Sequence, residues 1–506
     1  MSSRRRKGDR DGVFSGNIPE RAIIDIGSNT VRLVLYGGSM RAPTVLLNEK
    51  VAAKLGRDIG TTGDLAKEAI ALALRGLERF ALLLNDLGIE DIETVATAAV
   101  REATNGSEFV ETLRQLGFSP RILSGEEEAV LSAHGVLGAF PGAEGSVADL
   151  GGGSLELISI SKGTTHDAVS LPLGTLRLPD YRGDTRGAMR KSLVKALKKG
   201  APKIEPGQTL YLVGGTWRAM AVLAMQMRGH PLSDPHGFEV TAKEALKLIA
   251  EVRDETPESL KAFERISTMR AEKLPDASIL MEALIERLQP DRIIVSSWGL
   301  REGLLYDRLP SHAQMQDPLL AGISLFATQR GAPPTLAARM VAWTLDAAPS
   351  RDHGSERLRL AATMLSLASM QIEPNIRHPQ ATEWALHKRW LAIDGEGRAM
   401  LAAAIAANGN RLELPDKLRE LASTEALDEA IGWGLALRLA RRLGARSRRS
   451  LQVSRLAIEE SALVLRLTQS HEALFGVSTE KDIRILAEHL KLDWRVEIVG
   501  NDALIP

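Results

Sequence analysis

The sequence contains no cysteine, few aromatic residues and no excess of either charge. Because cysteine is missing from all 506 residues, disulfides, thiolate metal sites and a cysteine nucleophile are excluded. The 64 Lys and Arg residues balance the 64 Asp and Glu residues, so local patches of charge, and not an overall positive field, would have to hold an anionic partner. No apolar stretch reaches the roughly 18 residues that a membrane span needs. A soluble globular protein is predicted, with neither a membrane nor a nucleic acid as partner.

The chain is long enough for several domains, and its texture changes along its length. No apolar segment follows the basic start "MSSRRRKGDRDG", so residues 1–20 are expected to be the disordered tail of a cytoplasmic protein without a secretory signal. Up to residue 311, short β-branched runs alternate with helical patterns, which predicts an α/β fold with subdomains over 21–142 and 143–311. From 318 to 506 a Leu-, Ala- and Arg-rich amphipathic pattern predicts a mostly helical region, with a strand only at "DWRVEIVG".

Two segments of the α/β part repeat one pattern. "IIDIGSNTVRLVL" (23–35) and "VADLGGGSLELIS" (147–159) each read as a strand, a tight glycine turn and a second strand. The aligned pairs are Asp25 with Asp149, Gly27 with Gly151, Thr30 with Ser154 and Leu33 with Leu157. A duplicated α/β protein of this kind is expected to place its two hairpins face to face across a cleft.

The glycine turns carry the first candidate chemistry. Successive backbone N–H groups without an intervening Cβ form concave nests that bind phosphate oxygens. "GSNT" adds the side chains of Ser28, Asn29 and Thr30, and "GGGS" (151–154) adds Ser154 beside Gly152 and Gly153. Two facing nests would suit a phosphate chain between them. Either turn alone also has a purely structural interpretation.

An aspartate stands two residues before each glycine turn. A carboxylate at the end of a buried strand is costly unless a positive charge pairs with it. Mg²⁺ suits this position because it takes carboxylate, water and phosphate oxygens. Asp25 and Asp149 could therefore hold one Mg²⁺ over a bound phosphate. The alternative is that each aspartate accepts hydrogen bonds from its own turn.

Two further segments carry candidate anion contacts. "TLYLVGGTWRAMAVL" (209–223) reads as a strand, a glycine turn and a helix, and Gly215 and Thr216 would stand at the helix start, where free N–H groups bind anions or nucleotides. Close packing of strand and helix explains that turn equally well. Arg101, which follows "TVATAAV", is expected at the end of a strand, where a guanidinium could clamp phosphate. Its alternative is a pair with Glu102 or solvent.

Three glutamates begin the helical pattern "SGEEEAVLSAHGVLGAF" (124–140). Ser124 and Glu127 fit a capping box, and acidic residues in a first helical turn are favoured by the helix dipole. Glu128 instead lies above a stripe of small residues, where a carboxylate facing a cleft could activate water as a general base. Composition alone favours a solvated surface position for Glu128.

The ordered motifs resemble one family. "DIGSNT", "ATAAVREATN", "SGEEEA", "DLGGGSLE", "LPLGTLRL", "VGGTWRA" and "LREGLLYDRL" are similar to motifs of the exopolyphosphatase and guanosine pentaphosphate phosphohydrolase (Ppx/GppA) family, over about residues 22–308. The resemblance implies two ribonuclease-H-like subdomains of the actin and Hsp70-like ATPase fold with the active site between them. It also implies hydrolysis of a terminal phosphate from inorganic polyphosphate or pppGpp, a Mg²⁺ cofactor and a homodimer.

The resemblance assigns roles residue by residue. Glu128 matches the family's water-activating base, and the "VGGT" loop matches a region that contacts adenosine in relatives, although catalysis in this family needs no nucleotide. The metal-associated positions match Asp25, Asp149 and Glu156. The phosphate-contacting positions match Ser28, Asn29, Arg101, Gly152, Gly153 and Ser154.

Two departures from the family pattern stand out. Leu155 replaces the threonine of the usual "GGGSTE", which removes one hydroxyl beside the second turn. The region after 318 resembles the HD-like domain of long family members, yet "RLAATMLSLAS" (359–369) stands where "LHD" is expected. Because His353, His378 and His387 include no contiguous His-Asp pair, the resemblance implies a degenerate HD site with a substrate-binding or dimer-forming role.

The leading prediction from the sequence is a Mg²⁺-dependent exopolyphosphatase. The basic runs "KALKKGAPK" (195–203) and "RLARRLGARSRRS" (438–450) would bind a long polyanion, and a channel from the C-terminal region into the cleft is the corresponding hypothesis. A solvated helix face explains these runs as well. The alternatives are pppGpp 5′-phosphohydrolase activity at the same site and a non-catalytic sensor of polyphosphate or (p)ppGpp.

Overall fold

The structure, a computed structural model, describes residues 18–201, 205–253, 255–351, 353–445 and 447–503. It divides into two compact units, Met1–Pro318 and Leu319–Pro506. Most of the predicted tail over 1–20 lies outside the described residues, as do the last residues of the basic run 195–203 and Arg446 of the second run. Among the described helices, none has the length and apolar character that crossing a membrane requires.

The first unit contains two mixed sheets, and the first sheet holds the earlier hairpin. Its strands are β1 (Arg21–Ile26), β2 (Val31–Gly38), β3 (Pro43–Val51), β4 (Asp91–Ala96) and β5 (Pro120–Ile122), in the order β3-β2-β1-β4-β5. β1 pairs with β2 antiparallel and with β4 parallel. The β1–β2 register places Asp25 opposite Arg32.

The second sheet holds the repeated hairpin. Its strands are β6 (Gly145–Leu150), β7 (Leu155–Ser161), β8 (Thr164–Leu171), β9 (Thr209–Val213), β10 (Glu239–Thr241) and β11 (Arg292–Ser296), in the order β10-β11-β9-β6-β7-β8. β6 pairs with β7 antiparallel and with β9 parallel. Asp149 therefore faces Glu156 across the hairpin, at the position where the first hairpin has an arginine. Both predicted hairpins are present.

Helices surround these sheets. They are α1 (Ile59–Thr62), α2 (Lys67–Leu87), α3 (Ala98–Glu102), α4 (Gly106–Gln115), α5 (Gly125–Ala139), α6 (Arg186–Gly200), α7 (Gly215–Met227), α8 (Ala242–Arg253), α9 (Pro257–Lys261), α10 (Thr268–Ala271), α11 (Leu274–Leu288), α12 (Leu300–Asp307) and α13 (Ser311–Gln314), with a 3₁₀ turn at Leu178–Tyr181. One boundary prediction was wrong: β4 ends at Ala96, and Arg101 lies in the last turn of α3 rather than at the end of a strand. The adjacent alanines favour helix, which explains why the strand ends and the helix begins earlier than predicted.

Two helices that carry site residues pack closely together. α5 begins with the predicted capping box, in which Ser124 Oγ accepts from Glu127 N–H and the Glu127 carboxylate accepts from Ser124 N–H. A Cβ on Gly135 of α5 or on Gly303 of α12 would overlap backbone atoms at the other helix. Close approach at these glycines fixes the first turn of α5 relative to the start of α12.

The rest of the chain is mostly helical, but it contains more strand than the sequence predicted. The helices are α14 (Pro318–Thr328), α15 (Pro334–Thr344), α16 (Glu356–Ala368), α17 (Arg377–His387), α18 (Gly395–Asn408), α19 (Asp416–Arg419), α20 (Thr424–Gly444), α21 (Arg448–Gln452) and α22 (Val477–Leu490), with 3₁₀ turns at Ser369–Gln371 and Gln469–Leu474. The strands β12 (Ser454–Glu459), β13 (Ala462–Thr468) and β14 (Asp493–Val499) form one sheet in the order β12-β13-β14.

Only β14 was predicted, and the arginines within β12 and β13 explain the error. An arginine among leucines resembles one face of an amphipathic helix. In the sheet, Arg466 instead pairs across strands with Glu459 and, at 2.8 Å, with Glu497. Such cross-strand ion pairs stabilise a sheet but are invisible until the register is known.

Candidate active site

Both glycine turns open into one cavity of about 230 Å³ in the first unit. The predicted site residues that line it are Asp25, Ser28, Asn29, Thr30, Glu128, Asp149, Gly152, Gly153, Ser154, Gly215 and Thr216. Arg101 and Glu156 do not line it. The fold therefore brings together predicted residues from four separate segments of the first unit.

The two turns have the same local structure and contact each other. Gly27 N–H donates to Thr30 O and Gly151 N–H donates to Ser154 O, each at 3.0 Å. A Cβ on Gly152 would lie 2.8 Å from Asn29 Nδ2, and one on Gly153 would lie close to Ser28. Glycine is thus required in the second turn because the first turn occupies the space of a side chain.

Asn29 of the first turn bonds to Thr175, which also lines the cavity, and it retains an acceptor atom without a partner in the described part of the chain. Its Nδ2 donates to Thr175 Oγ1 at 3.3 Å, whereas its buried Oδ1 has no hydrogen-bond partner among the described residues. An unpaired buried carbonyl is costly. A ligand, a water or a hydrated cation in the cavity would satisfy it.

Two aspartates end the paired strands at the cavity wall. Ser132 Oγ donates to Asp149 Oδ2, and Arg301 Nε lies 4.0 Å from Asp25 Oδ2. Burial raises the pKa of both carboxyl groups, and for Asp149 the Ser132 hydrogen bond opposes this effect. In the described part of the chain neither aspartate accepts a hydrogen bond from the N–H groups of its own turn, where the bonds run between backbone atoms.

Glu128 is buried beside this pair. It lies in the first turn of α5 and is 8% exposed, so the surface interpretation of this residue is wrong. Burial, followed by the negative charges of Glu156 and Asp149, raises the pKa of Glu128 well above its usual value. A buried carboxylate at a polar cavity is the expected position of a general base.

Arg101 and Glu156 lie behind the cavity wall. Arg101 Nη1 donates to Leu123 O at 2.6 Å and stands 3.5 Å from Glu128 Oε2. Glu156 accepts from Ser170 Oγ at 2.8 Å, and burial together with Asp149 raises its pKa to about 8. Arg101 therefore forms an ion pair with the Glu128 carboxylate and does not line the cavity.

A wall of cations faces the carboxylates, and sequence reasoning missed it. Arg218 donates to Ser297 O at 3.2 Å, and Arg301 Nη1 is buried with no hydrogen-bond partner among the described residues. The register of the first hairpin could have revealed Arg32, which pairs with Asp25. The motif "LREGLLYDRL" contains Arg301 but suggested no role. The lining cations are Arg32, Lys50, Arg218, Arg270, Lys273 and Arg301.

Of the two lysines in this wall, Lys273 has the pKa that departs further from its usual value. Its Nζ donates to Thr175 Oγ1 at 3.1 Å, the same hydroxyl that accepts from Asn29. Burial, with a smaller effect of Lys54, lowers the pKa of Lys273 to about 8. An anion in the cavity would stabilise its charged form.

The donor set fits a hydrated divalent cation that also binds a ligand. Within the described residues no group of three or more His, Asp or Glu side chains is arranged to hold a metal ion. Asp25, Asp149 and the unpaired Asn29 Oδ1 nevertheless supply hard oxygen atoms around one cavity. Mg²⁺ is commonly bound by one or two carboxylates together with waters and substrate phosphates, and this chain supplies that number.

Comparison with known proteins identifies relatives of this chain. Residues 35–312 match the profile of the Ppx/GppA phosphatase family. Exopolyphosphatase 1 of Mycobacterium tuberculosis is 28% identical over 313 residues, which cover 58% of this chain and 88% of that protein. Retrograde regulation protein 2 of Saccharomyces cerevisiae is 29% identical over 334 residues, which cover 59% of this chain and 57% of the yeast protein. This chain therefore spans little more than half the length of the yeast relative.

A solved structure extends the likeness to the fold. The crystal structure of the Aquifex aeolicus member of the Ppx/GppA family matches with a TM-score of 0.50 and 28% identity, covering 56% of this chain and 96% of that chain. The α/β part of the predicted fold, of the actin-like ATPase type, is confirmed by this neighbour. The profile match includes Glu128 and the second glycine turn, and the first glycine turn precedes it by a few residues.

Proposed function

We propose, since the chain belongs to the Ppx/GppA phosphatase family, that it is an exopolyphosphatase, which hydrolyses the terminal phosphate of inorganic polyphosphate. One observation carries this proposal: a buried glutamate, two aspartates and two facing glycine turns line the same cavity as six cationic side chains. A phosphate chain matches that combination because it needs backbone donors at its end and positive charge along its length.

The turns and the cationic wall would bind different parts of the substrate. Backbone N–H groups of Gly152, Gly153 and Ser154, with the side chains of Ser28 and Asn29, would hold the terminal phosphate. Arg270 and Lys273, which also line the cavity, would contact phosphates further along the chain. Leu155 is buried, so the missing threonine hydroxyl leaves the backbone as the main donor on that side.

Glu128 would act as the general base. It orients a water in line with the terminal bridging oxygen and accepts one proton as the water oxygen attacks phosphorus. The bond from phosphorus to the bridging oxygen breaks, and its electron pair remains on the shortened chain. Because phosphoryl transfer depends mainly on positioning and charge stabilisation, a fixed carboxylate and a fixed set of cations suffice for this chemistry.

Mg²⁺ is the proposed cofactor, held by Asp25 and Asp149 with Glu156 close behind them. When bound, it would offset the negative charge of the terminal phosphate and stabilise the charge that develops on it. The aspartates would also remain ionised beside such a cation, despite their burial.

Replacing Asp149 by asparagine is expected to raise the Mg²⁺ concentration needed for half-maximal activity by about tenfold or more, because one of two carboxylates is lost. The measurement is a Mg²⁺ titration of phosphate release from polyphosphate. Asp86→Asn, at an exposed position on α2, is the matched control and should titrate like the unmodified protein. An unchanged Mg²⁺ dependence in Asp149→Asn would remove this residue from the metal site.

Polyphosphate binding is expected to weaken as the pH rises through about 8, the pKa of Lys273. The lysine is charged below this pH and attracts the anion, and it becomes neutral above it. In Lys273→Gln, KM should be higher at pH 7 and the rise in KM above pH 8 should be smaller. Lys247→Gln, at an exposed position on α8, should keep the original profile. The same rise in Lys273→Gln as in the unmodified protein would contradict this role.

Two other functions have specific support. The family's joint name includes GppA, and the same cavity would accept the triphosphate of pppGpp. The match to a protein named for regulation favours a sensor that binds polyphosphate or (p)ppGpp without hydrolysis. The buried Glu128 at the cavity favours hydrolysis over sensing.

For the second unit we propose a substrate-binding or dimer-forming role rather than a second hydrolytic site. The segment that replaces "LHD" lies mostly in α16 and is largely buried. His353 and His378 lie in different segments, and His387 is 3.7 Å from Glu383 on its own helix. Within the described residues these histidines form no metal-binding group. The homodimer and the HD-like ancestry stay predictions.

A further inference from the structure

A second group of cations lies in the second unit, where α17, α18 and α20 meet. The guanidinium of Arg438 donates to Asn408 O at 3.3 Å, and Arg441 Nε donates to Asn408 Oδ1 at 3.4 Å, which joins α20 to the end of α18. The imidazole of His378 on α17 packs against Gly409, where a Cβ would overlap the ring. The arginines whose charges act on this imidazole are Arg377, Arg411, Arg438 and Arg441. These four arginines and His378 are called the arginine cluster below.

One buried carboxylate neutralises part of the surrounding charge. The side chain of Asp482 is fully buried, 2.8 Å from Arg438 Nε and 2.9 Å from Arg442 Nε. Both oxygens of Asp482 are thereby used. Because a carboxylate carries one charge, the two arginines bound to it already exceed its capacity for neutralisation.

Other arginines of the cluster have guanidinium N–H groups without an acceptor among the described residues. Neither Nη group of Arg441 has a hydrogen-bond or ion-pair partner within the described residues, although burial and its neighbour Arg438 lower the pKa of this side chain. The exposed side chain of Arg411 likewise has no partner in the described part of the chain. The guanidinium of Arg377 donates to Ile372 O and Met370 O, and no acid of the described residues pairs with its charge.

His378 adds an unpaired polar atom. Its Nδ1 is buried and has no hydrogen-bond partner among the described residues. Burial, followed by the charge of Arg411, lowers the pKa of His378, which keeps the ring neutral and able to donate one hydrogen bond. Guanidinium groups are over-represented where phosphate or carboxylate is bound, and the unpaired Nδ1 of His378 lies among several of them.

We propose that the arginine cluster binds a phosphate or phosphoanhydride anion at a site separate from the candidate active site. A multiply charged oxyanion suits it better than a carboxylate, because several arginines share one acid. Planar guanidinium groups bind phosphate oxygens in pairs, and an anion would offset the repulsion among the arginines. The anion has two sources, a small free phosphate compound or a segment of a polyphosphate chain. The site would exist whether or not the first unit hydrolyses polyphosphate.

Calorimetric titration of the full chain with pyrophosphate tests the proposal. The Glu128→Gln background is expected to slow any turnover by about 10² to 10⁴, so the candidate active site and the arginine cluster should appear as two binding events. Arg411→Gln and Arg441→Gln should each weaken one event by about tenfold or more, the loss expected for one charge-assisted contact, and leave the other unchanged. Arg484→Gln, at an exposed position on α22, is the charge-matched control and should retain both events.

A second titration, with long polyphosphate, distinguishes the two sources. A loss of similar size for pyrophosphate and long polyphosphate supports a site for a small anion, whereas a larger loss for the long chain supports a chain-binding site. Pyrophosphate binding that is unchanged in both arginine variants, whether it appears as one event or as two, would overturn the proposal. If the unmodified protein releases no phosphate from polyphosphate but the arginine cluster still binds pyrophosphate, the result would count against the proposed hydrolysis and not against this site.

Discussion

Replacing Glu128 by glutamine is expected to lower kcat for phosphate release from polyphosphate by about 10² to 10⁴, with little change in polyphosphate affinity. Glutamine keeps the size of the side chain but cannot accept the proton of the attacking water. Affinity should persist because the glycine turns and the cationic wall are unchanged. Initial rates measure the first effect, and equilibrium binding of polyphosphate measures the second.

The neighbouring glutamate provides the control for this experiment. Glu126 lies in the same helical turn of α5 but is exposed, so Glu126→Gln changes the same charge near the same helix start. Its activity should match that of the unmodified protein. Full activity in Glu128→Gln would end the general-base assignment, and equal losses in Glu128→Gln and Glu126→Gln would point to the helix terminus instead of one carboxylate.

Removing the charge of Arg301 is expected to have the second largest effect. Only 14% of this side chain is exposed, and it faces the carboxylate of Asp25 at 4.0 Å. Arg301→Gln leaves a buried aspartate without its nearest cation and removes positive charge from the place where the terminal phosphate would react. A loss of about 10² to 10³ in kcat is expected, the magnitude typical of removing one preorganised group that stabilises the transition state.

Two further variants show whether the loss comes from the charge of Arg301 itself. Arg301→Lys keeps a charge without the planar donor fork, so it should recover part of the lost rate. Arg308→Gln removes a half-exposed arginine at the end of the same helix, where it pairs with Asp91, and should leave kcat nearly unchanged. Normal turnover in Arg301→Gln, with the fold intact by circular dichroism, would show that Arg301 only supports Asp25 structurally.

The parts of the site that were predictable are those with local signals. The glycine turns, their aspartates and the capping box ahead of Glu128 each occupy a few consecutive residues, and the repetition of Asp25 as Asp149 suggested that both belong to one site. Backbone rules for hairpins and helix starts translate such segments directly into structure. The resemblance to a family then assigned roles to individual residues.

The cationic wall was not predictable in the same way. Each of its cations also suits an ordinary surface position. Arg32 and Lys50 lie opposite each other on β2 and β3, so their proximity follows from strand register, whereas Arg270 and Arg301 reach the same cavity only through the packing of α10 and α12. The burial of Glu128 was hidden as well, because it depends on tertiary neighbours such as Arg101 and not on the composition of its own helix.

The second unit shows a related limit. Arg438 and Arg442 belong to a run that reads as a basic stripe, yet both are bound to the buried Asp482 from a different helix. Charge runs in a sequence therefore overstate the charge available to a partner. Which arginines remain unpaired, such as Arg441, is decided by tertiary structure.

The most direct test of the account measures phosphate release from long polyphosphate and from pppGpp side by side, with and without Mg²⁺, for the unmodified protein and Glu128→Gln. We predict Mg²⁺-dependent release from polyphosphate that exceeds release from pppGpp and that is lost in the variant. Release from pppGpp alone would transfer the same chemistry to a nucleotide substrate. Binding of polyphosphate without release from either compound would contradict the proposed hydrolysis.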